Sequence, residues 1–491
     1  MKKSTIALGA ATAAAIACNA VHAAFYKPKK QVVPTISSER NNVERYRQNL
    51  SKAIQIKTIS HADSADTDWS EFSKFHAFLD EAYPLIASKL EKEIVPPANL
   101  IYRWQGKNPT LDPVALCAHQ DVVPVSEGTW QDWTHPAFDG VDDGEFIWGR
   151  GALDMKNHLI CVMEAVETLL EEGFEPERDV YLLFGDNEEI VAGKENGATA
   201  IMNTLKSRGI HLESLLDEGG AMLPVNIKGV INNKYLAGIG VAEKGYADIE
   251  ITLSAKGGHS SQPPKHTALG KMADVIKDLE NHQFKASFSD SMKSLFDSIG
   301  RNCTYPIRNI TCNLPLLYPA LLQICKLIPP AACMTRTTTG ITMAQGSPAA
   351  NVLAQRASIT VNFRAMPGTT VDDIIKHIKK VVRNKNINIE VLKSKEASRF
   401  SPTDSRAFGV ISRLCKAIEP NAIIAPFLVM GGTDAYFYEP ICENIYRYAP
   451  FKVDTSLLLC THATNERIPI SAMSDALTFF KNYIREISNE L

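Results

Sequence analysis

Hydrophobic positions divide the chain into an alternating α/β pattern and a central segment that lacks it. Residues 114–118 and 180–184 are short continuous apolar runs, as buried strands are, whereas residues 156–172 have apolar positions at helical spacing. Strands that alternate with helices predict an α/β domain with a mainly parallel sheet flanked by helices. The same pattern returns after residue 398, which indicates that one domain is built from two parts of the chain.

The central segment has a different order of elements. Apolar and polar residues alternate at 247–253, and further strand-like and helical runs follow. Their order of strand, helix, strand, strand, helix, strand is typical of a ferredoxin-like α+β sandwich. We therefore expect one α/β domain formed by residues 41–242 and 398–491, with an α+β domain inserted at residues 243–397.

The first residues have the features of a secretory signal peptide. Two lysines at positions 2 and 3 precede an alanine-rich apolar stretch, and the small residue Ala23 stands where a cleavage site is expected. We expect cleavage after Ala23, so that residues 1–23 are removed and the protein is secreted or periplasmic. The alternative is an N-terminal core helix.

Composition and charge narrow the class of protein. With 491 residues, 45% of them hydrophobic, the chain can form two or three domains with substantial cores. A formal net charge of -3 and the lack of a long basic run argue against nucleic acid and favour a small molecule or peptide as partner. Four of the ten cysteines, Cys303, Cys312, Cys325 and Cys333, lie close together in sequence and could form disulfides after export.

Residues 314–332 are strongly apolar, yet they form a poor candidate for a membrane span. The segment contains four prolines and Lys326, which disfavour a continuous helix across a bilayer. A local hairpin of helices or a subunit contact is the simpler interpretation. The alternative hypothesis is an apolar surface that receives an acyl chain or touches a membrane.

Candidate chemistry begins at the end of the run 114–118. His119 closes this run, and Asp121 lies two residues further, so both side chains point to the same face of an extended backbone. This spacing suits a metal ligand and a carboxylate that fixes its imidazole tautomer. On its own the pair is a weak signal, because a histidine in this position is often a hydrogen-bonded core residue.

Two further segments place carboxylates beside predicted strands. Asp154 follows a glycine-rich turn and precedes a helix, and its two oxygens could bridge two cations, although an aspartate there could also cap the helix. Glu188 and Glu189 follow the run 180–184. Because adjacent glutamates rarely point the same way, we expect one to bind metal and the other to accept a proton.

Asp217 and His462 complete a set of two histidines and three carboxylates. Two divalent cations carry a charge of about +4, which three carboxylates and one hydroxide nearly neutralise. Nitrogen and oxygen donors without a thiolate favour zinc, with cobalt or manganese as alternatives. The sequence therefore predicts two divalent metal ions.

These motifs resemble the M20 family of metallopeptidases, and most closely its branch of carboxypeptidase S and secreted N-acyl amino acid synthase/hydrolases. The resemblance runs from about Val43 to the C-terminus and implies a zinc-peptidase-like fold whose inserted domain acts as a lid and a dimerisation domain. The matching segments occur in the family's order: residues 119–124, 149–157, 217–220, 257–261, 351–368, 431–434 and His462.

The resemblance also implies a role for each residue. Asp154 is the bridging ligand, Glu189 and His462 bind one metal, and His119 and Asp217 bind the other. Glu188 is the general base, and Asp121 orients His119. In the lid, His259 stabilises the oxyanion and reaches the partner's site in dimeric relatives, while Arg364, assisted by Asn351, holds the carboxylate of the substrate.

The implied activity is hydrolysis of an amide bond beside a free carboxylate by a metal-activated water. The substrate is either a small peptide, as for a carboxypeptidase, or an N-acyl amino acid, as for an aminoacylase, and a non-catalytic binding protein is the rival from another class. Met155 and Tyr436 stand where relatives often carry other residues. Because of the difference at Tyr436, the resemblance does not define the substrate pocket.

Overall fold

The structure is a computed structural model that describes residues 17–28, 33–36, 41–190 and 196–489. The apolar runs 114–118 and 180–184 form the centre of its main sheet. Strands β3 (Val114–His119) and β6 (Val180–Gly185) are buried at every position and pair in parallel. A strand with no polar face must be covered on both sides, as in sheets with helices on both faces.

The main sheet contains nine strands, and its middle is parallel. Strands β6, β3, β7 and β17 lie side by side in that order and are parallel. Strand β2 pairs antiparallel with both β1 and β6. Strand β9 pairs antiparallel with β8 and in parallel with β16. The predicted mainly parallel sheet is confirmed. The remaining strands of this domain are β1 Glu91–Val95, β2 Asn99–Trp104, β4 Val141–Asp142, β5 Phe146–Trp148, β7 Ser214–Asp217, β8 Met222–Ile227, β9 Ile231–Glu243, β16 Ala422–Val429, β17 Ile445–Arg447 and β18 Arg467–Pro469.

Helices cover the main sheet, and one of them is almost wholly buried. Helix α4 (Lys156–Glu171) is buried along nearly its whole length and begins just after Asp154, so the core fixes the position of that aspartate. Its buried charges are paired: Lys156 Nζ donates to the carbonyl of Ala53, and Glu164 binds Arg45. The other helices of this domain are α1 Val43–Gln55, α2 Trp69–Ala82, α3 Pro84–Lys89, α5 Gly197–Ser207, α12 Arg406–Ile418, α13 Thr455–Leu458 and α14 Met473–Ser488.

The inserted domain has the predicted ferredoxin-like order. Its four-stranded antiparallel sheet is formed by β12 (Thr338–Gln345), β14 (Arg356–Ala365), β10 (Gly245–Ser254) and β15 (Asn388–Lys395), in that order across the sheet. Helices α6 (Ala268–Asn281) and α11 (Val371–Val381) pack on its apolar face. A small hairpin pairs β11 (Gly258–His259) with β13 (Val352–Leu353). The chain changes sheets at Lys244 and returns after Lys395.

A helical segment interrupts this sandwich between α6 and β12. Its helices are α7 Asp290–Asn302, α8 Tyr305–Thr311, α9 Leu314–Leu327 and α10 Pro329–Cys333. Helix α7 packs Met292 and Leu295 on Ala425 of the main sheet, so the segment joins the two domains. Within the described residues no single helix is long and apolar enough to cross a membrane, although α8 and α9, bent by 93°, pass that test together. Leu316 and Leu327 are more than four-fifths exposed.

The end of the predicted signal peptide lies against this segment, while residues 1–16 are outside the described part. Residues 17–25 are helical, and Ala23 is buried beside Cys312 and Tyr26. Tyr26 Oη donates to Asp297 Oδ1 at 2.8 Å. Cys303 and Cys312, two of the four cysteines that could form disulfides after export, are not joined in a disulfide in the structure.

Candidate metal centre

The predicted metal ligands and the predicted base lie at the carboxyl edge of the main sheet. His119 ends β3, opposite Gly185 at the end of β6, and Asp217 ends the neighbouring parallel strand β7. Because parallel strands finish at the same edge, residues that follow them converge there. Glu188 and Glu189 lie just beyond β6, and Glu218 lies just beyond β7.

The carboxylate of Asp154 lies between the two histidines. Its Oδ1 is 3.1 Å from His119 Nε2, and its Oδ2 is 3.1 Å from His462 Nε2. Glu189 Oε2 lies 3.0 Å from the same nitrogen of His462. Each oxygen of Asp154 thus faces a different histidine, which is the arrangement that a bridging ligand requires.

The side of the centre near His119 contains Glu218, which is not among the ligands predicted from the sequence. Glu218 Oε1 lies 3.3 Å from His119 Nε2, and His119, Glu188 and Glu218 bring ligand atoms within 4.8 Å of one another. The predicted ligand Asp217 is buried beside it, and its Oδ2 accepts a hydrogen bond from the backbone of Ala435 at 2.9 Å. The described contacts therefore favour Glu218 as the ligand at this strand end, while the role of Asp217 stays a prediction.

Asp121 links His119 to the adjacent glutamates Glu188 and Glu189. Its carboxylate is fully buried and accepts hydrogen bonds from the backbone N–H groups of Glu188 and Glu189, each at 3.1 Å. Its Oδ1 also lies 3.3 Å from His119 Nδ1. The same ring nitrogen is hydrogen-bonded to the backbone carbonyl of Asp121 at 3.0 Å. Asp121 thus contacts the histidine ring through its carbonyl and carboxylate and holds the backbone of both glutamates through its carboxylate, so its environment supports an orienting role wider than the predicted one.

Glu466 organises the glycine-rich turn, and no signal in the local sequence pointed to it. Its buried carboxylate accepts hydrogen bonds from the backbone N–H groups of Gly151, Leu153 and Asp154 at 2.8–3.1 Å. The same carboxylate forms a buried ion pair with Arg150 at 2.5 Å. A turn whose N–H groups converge on one anion is rigid, so Glu466 determines where the backbone of Asp154 lies.

His462 sits in a conformation that side chains seldom adopt. Its φ is +60°, and Asn465 in the same loop has a φ of +62°. Asn465 Oδ1 accepts a hydrogen bond from the backbone of Thr134 at 2.7 Å, which anchors the loop. Non-glycine residues in the left-handed region carry a conformational cost and concentrate at functional sites.

The electrostatics of the cluster fit a cation. Burial raises the pKa of Glu218 to about 8, with Asp154 as a further cause, and burial also raises the pKa of Glu188 and Glu189. Hydrogen bonds to Asp154 and Glu189 raise the pKa of His462 to about 10. Protonated imidazoles thus balance the negative charge of the buried carboxylates. A divalent ion would supply this positive charge instead and leave the imidazoles neutral, as metal ligands must be.

The predicted substrate-binding residues lie in the inserted domain. His259 is exposed on the small hairpin, where its Nδ1 is hydrogen-bonded to Ser261 Oγ at 2.8 Å. Asn351 is on the facing side of that hairpin, and its carbonyl accepts from the backbone of Ser260. Arg364 stacks over the ring of Tyr246 at 4.7 Å. These contacts stay within the lid, so the roles of the three residues remain predictions.

This donor set at the edge of a mainly parallel sheet defines a hydrolytic metalloenzyme. The model of peptidase family M20/M25/M40 matches residues 115–486, and the chain belongs to this family. It is 34% identical to a probable carboxypeptidase S-like 2 of Dictyostelium discoideum, covering 90% of this chain and 85% of that protein. It is 31% identical to the N-fatty-acyl-amino acid synthase/hydrolase PM20D1 of Mus musculus, covering 92% and 90%.

Solved structures show the same fold. An M20 family metallo-carboxypeptidase from Sulfolobus solfataricus superposes with a TM-score of 0.65 at 17% identity, covering 90% of this chain and 99% of that one. Human carnosine dipeptidase 1 superposes with a TM-score of 0.61 at 14% identity, covering 91% and 96%. The predicted family and the enzymatic class are confirmed, and divalent metal binding follows from the family together with the cluster.

Proposed function

We propose that this protein is a secreted hydrolase with two divalent metal ions, most favourably zinc, that cleaves an amide bond beside a free carboxylate. The observation that carries the proposal is the position of Asp154, whose two oxygens face two different histidines. His119 and Glu218 would hold one ion, and His462 and Glu189 the other. Ions bound there would polarise a carbonyl group and acidify a water molecule.

The residues around the centre have separate tasks in this reaction. Glu188 has a ligand atom within 4.8 Å of those of His119 and Glu218, so it lies beside the position of one ion. Burial raises its pKa, which suits a group that takes a proton from water and passes it to the departing nitrogen. Asp121 keeps Glu188 in place, because its carboxylate accepts a hydrogen bond from the backbone N–H of Glu188. His259 would donate a hydrogen bond to the developing oxyanion, and Arg364, assisted by Asn351, would hold the carboxylate.

The position of His259 on the inserted domain supports two further proposals. Because His259 is exposed and its hairpin lies outside the main domain, we propose that lid closure brings it to a reacting carbonyl, in the same chain or in a partner chain. We also propose that the protein forms a homodimer through the lid, as implied by the family resemblance. Light scattering of the purified protein tests this assembly.

The substitution Glu188→Gln tests the role of the base. The amide has the same shape as the carboxylate but cannot accept the proton, so kcat should fall by at least about a hundredfold while two ions per chain remain bound. Kinetics and metal analysis of the same sample are the measurements. Full activity in the variant, or the loss of both metals, would contradict the assignment.

The nature of the acyl group is a separate question. Relatives include both carboxypeptidases and an N-fatty-acyl-amino acid synthase/hydrolase, so small peptides are the proposed substrates and N-acyl amino acids the second candidates. Amine release from a matched panel of both types separates them. A non-catalytic binding protein would bind metal and substrate without releasing amine.

A further inference from the structure

Helix α9 (Leu314–Leu327) is apolar on both of its faces. Its inner face packs on the protein, where Leu314 and Cys325 are buried. Its outer face exposes four apolar residues, and their intervals of four, four and three positions are those of a single helix face: Leu316, Ala320, Ile324 and Leu327. A helix on the surface of a soluble protein normally carries polar residues on its outer face, whereas a helix that is apolar all round is covered on both sides.

The exposure of apolar side chains is concentrated in this part of the molecule. Among the described residues, six of the twenty large apolar side chains with marked exposure lie between residues 305 and 328. Leu327 is the most exposed of the twenty, at 83%, and Leu316 reaches 81%. Single exposed leucines are ordinary on a protein surface, but a group of them is typical of a surface that contacts a partner.

The charge around this face is positive, although the chain as a whole has a formal net charge of -3. Residues 302–335 contain no aspartate or glutamate, and their two cationic residues are Arg308 and Lys326. Lys326 Nζ, near the C-terminal end of α9, donates to Gln323 Oε1 at 3.2 Å. The guanidinium of Arg308 lies over the ring of Tyr305 at 5.8 Å. No acidic residue of this stretch therefore balances its positive charge.

The residues that follow the predicted cleavage site add positive charge to the same helical segment. Residues 24–38 contain three lysines and no acidic residue. Lys27 is exposed, and its carbonyl accepts a hydrogen bond from Arg301 Nη1 of helix α7 at 3.3 Å. The guanidinium of Arg301 also lies over the ring of Tyr26 at 4.4 Å. The start of the predicted mature chain is therefore held against the helical segment that includes α9.

An apolar face with lysines beside it is complementary to a lipid bilayer with anionic headgroups. Apolar side chains enter the boundary of the acyl chains, and lysines pair with the phosphate groups. A second copy of the protein would instead bring the same uncompensated cations face to face. Helix α9 would lie in the bilayer surface rather than cross it, because its 14 residues span about 21 Å and the hydrocarbon core is about 30 Å thick.

We propose that the outer face of α9, together with Lys326 and Lys27, docks the protein on a membrane surface rich in anionic phospholipid. The outer leucines enter the bilayer, and the two lysines remain at the level of the headgroups. This surface contains no residue of the metal centre. Membrane binding is therefore independent of the proposed hydrolysis and is measured without a substrate.

Co-sedimentation with lipid vesicles tests the docking. Because of its lysines, the metal-loaded full chain should bind vesicles of phosphatidylcholine with about a third phosphatidylglycerol at least about tenfold more tightly than vesicles of pure phosphatidylcholine. Replacing both Leu316 and Leu327 by glutamine should weaken binding to the anionic vesicles by at least about tenfold, since the new side chains do not favour lipid. All proteins are prepared with the same N-terminus, verified by mass spectrometry, because a retained signal peptide would itself bind lipid.

The substitution Lys326→Gln tests the charge separately. One lysine near an anionic surface corresponds to about a fivefold change in binding, so this variant should bind the anionic vesicles about fivefold more weakly and the neutral vesicles as before.

The matched control combines Ile94→Gln with Leu392→Gln. These side chains are 51% and 53% exposed on β1 and β15, outside the helical segment. The control therefore removes as many exposed apolar side chains and should bind vesicles like the wild type. Circular dichroism of all variants checks that the fold is unchanged.

A wild type that does not bind vesicles overturns the docking surface, and so does a double leucine variant that binds like the wild type or no more weakly than the control. Equal binding of the wild type to both kinds of vesicle overturns the anionic partner. If light scattering without vesicles shows a dimer that the double leucine variant does not form, and the wild type does not bind lipid, a second copy of the protein covers this face instead.

Discussion

Replacing Glu466 by glutamine should destabilise the protein and weaken its metal centre together. The Glu466 and Arg150 side chains are 0% and 2% exposed, so water does not screen their attraction. Glutamine keeps one acceptor oxygen for the turn but removes the negative charge, which leaves Arg150 buried without a counter-ion. Breaking a buried pair by removing one partner typically costs about 3 to 5 kcal/mol. Because glutamine retains part of the hydrogen bonding, we expect the lower end of that range.

The same substitution should reduce metal affinity by about tenfold to a hundredfold, as for other groups that orient ligands. Urea unfolding gives the change in stability, and competition with a chelator gives the change in affinity. Asp143→Asn is the matched control: Asp143 also accepts hydrogen bonds from a turn, at Glu145 and Phe146, but it is exposed, so its loss should cost about 1 kcal/mol or less. An unfolding free energy lowered by less than about 1 kcal/mol in Glu466→Gln, with unchanged metal affinity, would refute the reasoning.

Two further predictions concern the core and the helical segment. Burial lowers the pKa of His158 to about 3, so below about pH 6.5 the unfolded chain binds a proton that the folded chain does not, and the free energy of unfolding should fall by up to about 1.4 kcal/mol per pH unit. Urea unfolding at about pH 7.5 and 5.5 should show a smaller pH dependence for His158→Phe than for the wild type. An equal pH dependence of the two proteins would exclude His158 as its source. Replacing Leu316, Leu317 and Leu321 of helix α9 by serine should selectively lower kcat/KM for long-chain N-acyl substrates, and equal activity on all chain lengths would remove the hypothesis that α9 contacts the acyl chain.

The sequence was sufficient for those parts of the fold whose signal is local. Residues 114–118 and 180–184 are continuous apolar runs, and their short length favours a buried strand in a covered sheet over a buried helix. The ferredoxin-like order of the inserted domain could also be predicted, because its alternating and helical patterns are local features of the sequence. The helical segment at 290–333 was only partly anticipated, because α7 gains its burial from contact with a distant strand of the main sheet.

A metal ligand could be predicted from the sequence where a single acid or histidine follows a strand, but not where two adjacent acids could each be the ligand. Asp217 and Glu218 are adjacent acids at a strand end, and the sequence does not say which of them turns towards the cluster; the backbone N–H of Ala435 engages Asp217 and leaves Glu218 to face His119. The role of Glu466 has no local signal in the sequence, because its partners lie more than 300 positions away. Contacts of this kind arise only from the folded arrangement.

The two crossings between the domains meet at a single buried residue. Glu243 is the last residue of β9 before the outgoing crossing, and its carboxylate pairs with Lys395, the last residue of β15 before the return crossing. Its backbone exchanges two hydrogen bonds with Ser398 on the return. One residue of the main sheet therefore holds both chain crossings in place. Any rotation of the lid against the main sheet would have to change these contacts of Glu243 and also the packing of helix α7 on Ala425.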